Sequence, residues 1–264
     1  MEKLYLWKKG KTPYYNPKFD QDEPYLSSYI LNDGKVHGAV IVCPGGAYAM
    51  KSEHEGRPIA EELNKSGYNA FVLDYRVAPY KYPAITEDVL RAIRYVRYNA
   101  EKFGVDPDKI AILGFSAGGH LANSAMCVFD YGRENGDDID KTPSRPDAVV
   151  LCYGVISLGK YTHEGSKENL IGGLEDQDKL ATMLSGECAV RDDTPPCFIW
   201  HTQDDQVVPV QNSLQLYSAL TEKKIPSALH VFPHGPHGLG LAKSYNDVSN
   251  WVDLLTVWLS NLGF

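Results

Sequence analysis

Six short apolar runs punctuate this chain: Gly38–Cys43, Asn69–Leu73, Ile110–Gly114, Ala148–Cys152, Cys197–His201 and Ala228–Phe232. Each is strand-length, mostly β-branched, aromatic or small, and bounded by turn residues, as expected of strands buried on both faces. Segments of helical spacing lie between them. Glu53–Ser66 sets Ile59, Ala60 and Leu63 on one side and stops at Gly67. Pro83–Phe103 reads as one long amphipathic helix with Ile85, Val89, Ala92, Ile93 and Val96 in a stripe, and Arg91, Arg94 and Arg97 on a solvated face. Val210–Lys223 and Ala242–Leu262 give two more helices. Alternation of this kind predicts an α/β fold: a doubly wound, mainly parallel sheet with helices on both faces. Such sheets carry their sites at the C-terminal ends of the strands.

At one of those ends the chain reads IAILGFSAGGHLANSA, so that Gly114, Ser116 and Gly118 spell GxSxG. A serine on a sharp strand-to-helix turn has a strained backbone, and side chains at the flanking positions would collide with strand and helix. The pattern alone is weak. A strand before it and a small-residue helix after it supply the context that makes Ser116 a candidate nucleophile.

A serine hydroxyl needs a general base, and the base needs an acid to orient it. Among eight histidines, His201 and His230 fall inside strands, His37, His54 and His163 in early or inserted loops, and His120 on the helix after Ser116. His234 and His237 remain in the loop after the last strand. Gly235 and Pro236 lead into His237 and Gly238 follows it, which favours His237 as base. For the acid, Asp204 and Asp205 follow the Cys197–His201 strand and cannot both point at one base; Asp192 and Asp193 are more distant rivals. The order serine, acid, histidine is the one expected of this architecture. After Cys43 the chain enters Pro44-Gly45-Gly46-Ala47-Tyr48. A loop of small residues leaves backbone N–H groups approachable, as an oxyanion hole requires.

The whole 264-residue chain is expected to form one domain, with an insertion at about 154–196 forming one wall of the cleft. A formal net charge of −8 argues against nucleic acid or an anionic membrane as partner and favours a neutral small molecule. The Met1–Glu23 stretch reads as an irregular arm, followed by an early strand within Pro24–Leu31. It lacks the apolar core of a secretory signal, and five scattered cysteines fit a reducing compartment, the cytoplasm. No metal or cofactor is expected. Pro58 stands where a zinc-protease helix would need a second histidine after His54, and no cysteine or carboxylate neighbours His234 and His237 in sequence. The sequence leaves a homo-oligomer open.

The segments CPGGAY, SEHEG, VLDYRVAP, GFSAGGHLA, TPPCFIWHTQDDQVVPVQNSL and GPHGLGLA together resemble the alpha/beta-hydrolase superfamily, and within it the small esterases related to acetylxylan and other carbohydrate esterases. The resemblance implies Ser116 as nucleophile, His237 as base and Asp205 as acid. It also implies oxyanion donors from the backbone of Ala117 and of Gly46 or Ala47. Many relatives carry HGGG where this chain has Pro44-Gly45-Gly46-Ala47, a change that spares backbone donors. The resemblance further implies a serine carboxylesterase that removes acetyl groups from sugar esters such as acetylated xylo-oligosaccharides. Tyr48, Tyr80 and Tyr153 lie on cleft-side loops and are expected to contact the sugar. A peptidase or amide hydrolase of the same fold, and a non-catalytic binding protein, are the alternatives.

Overall fold

The computed structural model describes residues 3–264; Met1 and Glu2 of the expected arm lie outside the described residues. Eight strands form one sheet in the order β1-β2-β4-β3-β5-β6-β7-β8. They are β1 (Lys3–Tyr5), β2 (Tyr25–Tyr29), β3 (His37–Cys43), β4 (Asn69–Asp74), β5 (Val105–Phe115), β6 (Ala148–Cys152), β7 (Cys197–Thr202) and β8 (Ser227–Phe232). β3 to β8 run parallel, with Ile41 beside Ile112, Leu113 beside Val150 and Ile199 beside Leu229. β1 and β2 are antiparallel additions at one edge. The arm is therefore not wholly irregular: Lys3 lies opposite Ser27 and Tyr5 opposite Tyr25. A three-residue edge strand is too short to leave a readable period.

Because the parallel strands are covered on both sides, their successive residues enter two different cores. Ala39, Ile41, Ile110 and Ile112 pack with helices α2 (Ala84–Tyr98), α4 (Ser116–Val128) and α8 (Gln211–Glu222). Val40, Val42, Ala111 and Leu113 pack with α1 (Arg57–Lys65) and α9 (Trp251–Asn261). Burying each Val, Leu or Ile contributes roughly 1.5–3 kcal/mol, so the apolar runs alone account for the sheet's place at the centre.

Three helical expectations change. Glu53–Ser66 divides into a 3-10 turn, Glu53–Glu55, and α1, which begins after Gly56 with Pro58 in its first turn. The long Pro83–Phe103 helix stops at Asn99, whose side chain bonds the Tyr95 carbonyl, and a single turn, α3 (Ala100–Phe103), follows. The last helix is shorter than read: a 3-10 turn at Val248–Asn250 leads into α9.

The arginine face of α2 is the largest correction. Arg91 and Arg94 are buried rather than solvated. The polar 130–147 segment folds over them: Arg91 bonds Asp137 and Asp140, Arg94 bonds Asp130 and the Thr142 carbonyl, and Arg97 bonds Asp147. Burying a guanidinium is costly unless it is paired and hydrogen-bonded, and the acidic loop supplies those partners. Between β6 and β7 the chain forms α5 (Glu164–Ile171), α6 (Gln177–Leu184) and α7 (Gly186–Ala189), all within the segment read as an insertion.

Candidate active site

Ser116 stands where β5 meets α4, with its backbone at φ +52°. For a residue other than glycine this conformation costs of order 1–3 kcal/mol and must be held by its surroundings. The flanking glycines let it form. A Cβ on Gly114 would lie 2.0 Å from the Gly118 carbonyl oxygen, and one on Gly118 would lie 2.1 Å from that of Cys43. Neither position has room for a side chain.

The Ser116 hydroxyl donates to Nε2 of His237 at 2.8 Å, and Nδ1 of the same ring donates to Oδ2 of Asp205 at 2.7 Å. Three loops, leaving β5, β7 and β8, thus converge at one sheet edge. Asp205 is buried, and its other oxygen accepts the backbone N–H groups of Val207 and Val208 at 2.8 and 3.0 Å. Burial pulls this carboxyl upward. Hydrogen bonds from His201 and His237, the charge of His237 and the Val208 N–H outweigh it, and the group is held well below the ordinary carboxylate range. His201 is wholly buried and bonded to Val208 and Ser213, as a structural histidine should be, but it also sits 3.4 Å from Asp205.

The rival groups have other partners. Asp204 bonds Nδ1 of His234 at 3.1 Å and the Gly235 N–H at 2.8 Å. Asp192 pairs with Lys223 and Asp193 with Arg191. His120 is buried, and that burial pushes it down to about 3, which keeps it neutral. His163, in the 154–196 segment, caps α5 by accepting the Ser166 N–H; burial and then the charge of His237 lower its affinity for a proton.

Beside Ser116 runs the Pro44–Tyr48 loop. Gly46, Ala47 and Tyr48 all have positive φ, at +129°, +55° and +58°. The turn is closed by Ala49 and Met50, which donate to the Gly46 carbonyl, and by Asn169, whose side chain donates to the Ala47 carbonyl. Among the described residues, the N–H groups of Gly46, Ala47 and Ala117 have no protein acceptor. Ala117 lies in the first turn of α4, where the helix dipole adds partial positive charge. The loop lies against the serine turn: a Cβ on Gly45 would stand 3.0 Å from that of Ser116.

The three tyrosines expected at the sugar are elsewhere employed. Tyr48 is wholly buried with its hydroxyl 2.8 Å from Nδ1 of His120. Tyr80 is buried too, with its hydroxyl on the backbone of Asn16 and its ring on Phe19. Tyr153 is 1% exposed; its hydroxyl donates to Glu55 at 2.6 Å and its ring meets His237 edge to face, with centroids 5.0 Å apart. None presents a free face to a ligand. Sequence spacing cannot tell a loop tyrosine that lines a cleft from one that braces it. Glu55 carries no signal of its own in the sequence, because the partners that occupy it, Gly45 and Tyr153, are brought to it only by the fold.

A mainly parallel sheet with a serine on its strand-to-helix turn, an acid after β7 and a histidine after β8 defines the class of the alpha/beta hydrolases. A profile of the BD-FAE family matches residues 29–220. The chain belongs to that family, esterases of the alpha/beta-hydrolase type. It is 44% identical over 225 residues to an endo-1,4-beta-xylanase B of Butyrivibrio fibrisolvens, a match covering 83% of this chain and 35% of that protein. An acetylxylan esterase of Xylanibacter ruminicola is 34% identical over 227 residues, covering 81% of this chain and 45% of the relative. The chain thus spans less than half the length of these two relatives. Among solved structures, the acetyl ester-xyloside bifunctional hydrolase from Caldicellulosiruptor lactoaceticus superposes with a TM-score of 0.96 at 45% identity, covering 100% of this chain and 97% of that one.

Proposed function

We propose that the chain is a serine carboxylesterase that removes short acyl groups, above all acetyl, from carbohydrate esters such as acetylated xylo-oligosaccharides. One observation carries the mechanism: the unbroken run of hydrogen bonds from Asp205 through His237 to Ser116. In this reading His237 takes the proton from the Ser116 hydroxyl as Oγ attacks the ester carbonyl. The negative oxygen is received by the N–H groups of Ala117 and of Gly46 or Ala47. Removing one such donor typically costs 10²–10³ in rate, roughly 2.7–4 kcal/mol. As the bond from the acyl carbon to the sugar oxygen breaks, His237 passes that proton to the departing oxygen, so the sugar leaves as a free hydroxyl and the acetyl group remains on Ser116. Water, activated by the same imidazole, then releases acetate. Asp205 stays ionised throughout and stabilises the imidazolium form.

The preference for acetylated sugars rests on the relatives, two of which are named for acetyl esters of xylan or xylosides. The same reading makes residues 154–196 one wall of the cleft within a single domain, supported by the Asn169 bond to Ala47. Acetate release across a panel of acetylated xylo-oligosaccharides, other acetylated sugars and simple alkyl esters tests the proposal. Higher kcat/KM on acetylated xylo-oligosaccharides than on the alkyl esters is expected, and the reverse order would overturn the sugar preference.

A further inference from the structure

Behind the serine, histidine and aspartate lies a second buried carboxylate that this mechanism leaves without a task. Glu55 is 2% exposed, at the end of the 3-10 turn that follows the Pro44–Tyr48 loop. Among the described residues, the basic side chain that comes within 4 Å of it is that of His54, at 3.8 Å and itself 58% exposed. A carboxylate kept so far from water is expensive unless its oxygens are bonded. Both are: Oε2 accepts the Gly45 N–H at 2.8 Å, and Oε1 accepts the Tyr153 hydroxyl at 2.6 Å.

The two donors belong to opposite halves of the site. Gly45 lies in the Pro44–Tyr48 loop beside the serine turn, and a Cβ there would meet Oε2 of Glu55 at 2.7 Å, the Phe115 carbonyl at 2.9 Å and the Ser116 Cβ at 3.0 Å, so these groups are packed without slack. Tyr153 reaches the other half twice. Its ring supports the His237 imidazole edge to face, and its hydroxyl oxygen accepts the N–H of Gly240, three residues beyond His237, at 2.8 Å. Tyr153 is wedged against Trp200 and Phe115 as well, which fixes the ring.

We infer that Glu55 is a positioning residue: through Gly45 and Tyr153 one carboxylate holds the donor loop and the catalytic histidine in register across the serine. The inference rests on the esterase reading above. It follows that the carboxylate acts on the reaction rather than on substrate affinity. Burial and the neighbouring Glu55 charge keep Tyr153 protonated far above neutral pH, so its hydroxyl remains a donor to Glu55 at working pH.

Steady-state kinetics on p-nitrophenyl acetate, normalised to sites titrated with a fluorophosphonate, provide the test. Glu55→Gln keeps the size of the side chain but offers one acceptor oxygen to two donors. Tyr153→Phe keeps the ring and removes the bridging hydroxyl, and it serves if Glu55→Gln does not accumulate. Each is expected to lower kcat per titrated site by about tenfold or more, since small misplacements of reacting groups have large effects, with KM within about twofold. The double variant is expected to be no slower than the worse single one, because both break the same bridge. Unchanged kcat per site in the single variants, or fully multiplicative losses in the double, would overturn the inference. A wild-type protein that neither turns over the ester nor labels would instead defeat the esterase reading, which keeps the two failures apart.

Discussion

Asp204 and Asp205 are neighbours in the chain, yet their carboxylates serve different histidines, Asp204 holding His234 at 3.1 Å and Asp205 holding His237 at 2.7 Å. Only the second pair continues to Ser116. Asp205→Asn is therefore expected to lower kcat on p-nitrophenyl acetate by about 10³–10⁴, the loss typical when a triad histidine is left in the wrong tautomer. Asp204→Asn loosens the histidine loop from outside and is expected to lower it by less than about tenfold. The opposite ranking in side-by-side kinetics would show that the acid is misassigned.

The depressed pKa of Asp205 also makes a prediction about stability. An aspartate ionises near 3.9 in an unfolded chain, and this one ionises lower when folded. The folded state therefore binds fewer protons, and the stabilisation is complete above about pH 5 and lost as pH falls through the folded value. Urea unfolding midpoints measured from pH 7 down to pH 3 should fall more steeply for the wild type than for Asp205→Asn. Parallel curves would remove Asp205 from the account of acid stability.

A third expectation concerns Arg76 and Asp88, which form an ion pair with both side chains at 0% exposure. Arg76 also bonds the carbonyls of Pro13 and Ala84, so it ties the arm to the start of α2. Asp88→Ala leaves a buried guanidinium without its counter-ion, at a cost of about 3–5 kcal/mol. Thermal unfolding should show a drop of several degrees or more, and a shift of less than a degree would mean that the pair is dispensable.

If Tyr80 braces the arm rather than meeting sugar, Tyr80→Phe should change KM for an acetylated xylo-oligosaccharide by less than about twofold. Loss of its bond to Asn16 should appear in stability instead, by about 0.5–1.5 kcal/mol. A large rise in KM with unchanged stability would return Tyr80 to the binding surface.

The six parallel strands were legible in the sequence because strands buried on both faces must be continuously apolar. The serine turn was legible because the contacts at Gly114 and Gly118 exclude every other residue. What escaped was long-range pairing. The arginines of α2 have a helical spacing that looks solvated, and only the fold brings Asp130, Asp137 and Asp140 across 36 to 49 residues to meet two of them. The role of Tyr153 was hidden in the same way, since its partner Glu55 lies 98 residues earlier. Local composition reports what a segment is suited to, not which distant segment will satisfy its polar groups.

Turnover of p-nitrophenyl acetate by Ser116→Ala beside the wild type tests the role of the serine most directly. With the acyl acceptor gone, kcat should fall by about 10⁴–10⁶ while the protein stays folded by circular dichroism. A folded Ser116→Ala protein that turns over the ester at the wild-type rate would show that Ser116 is not the nucleophile.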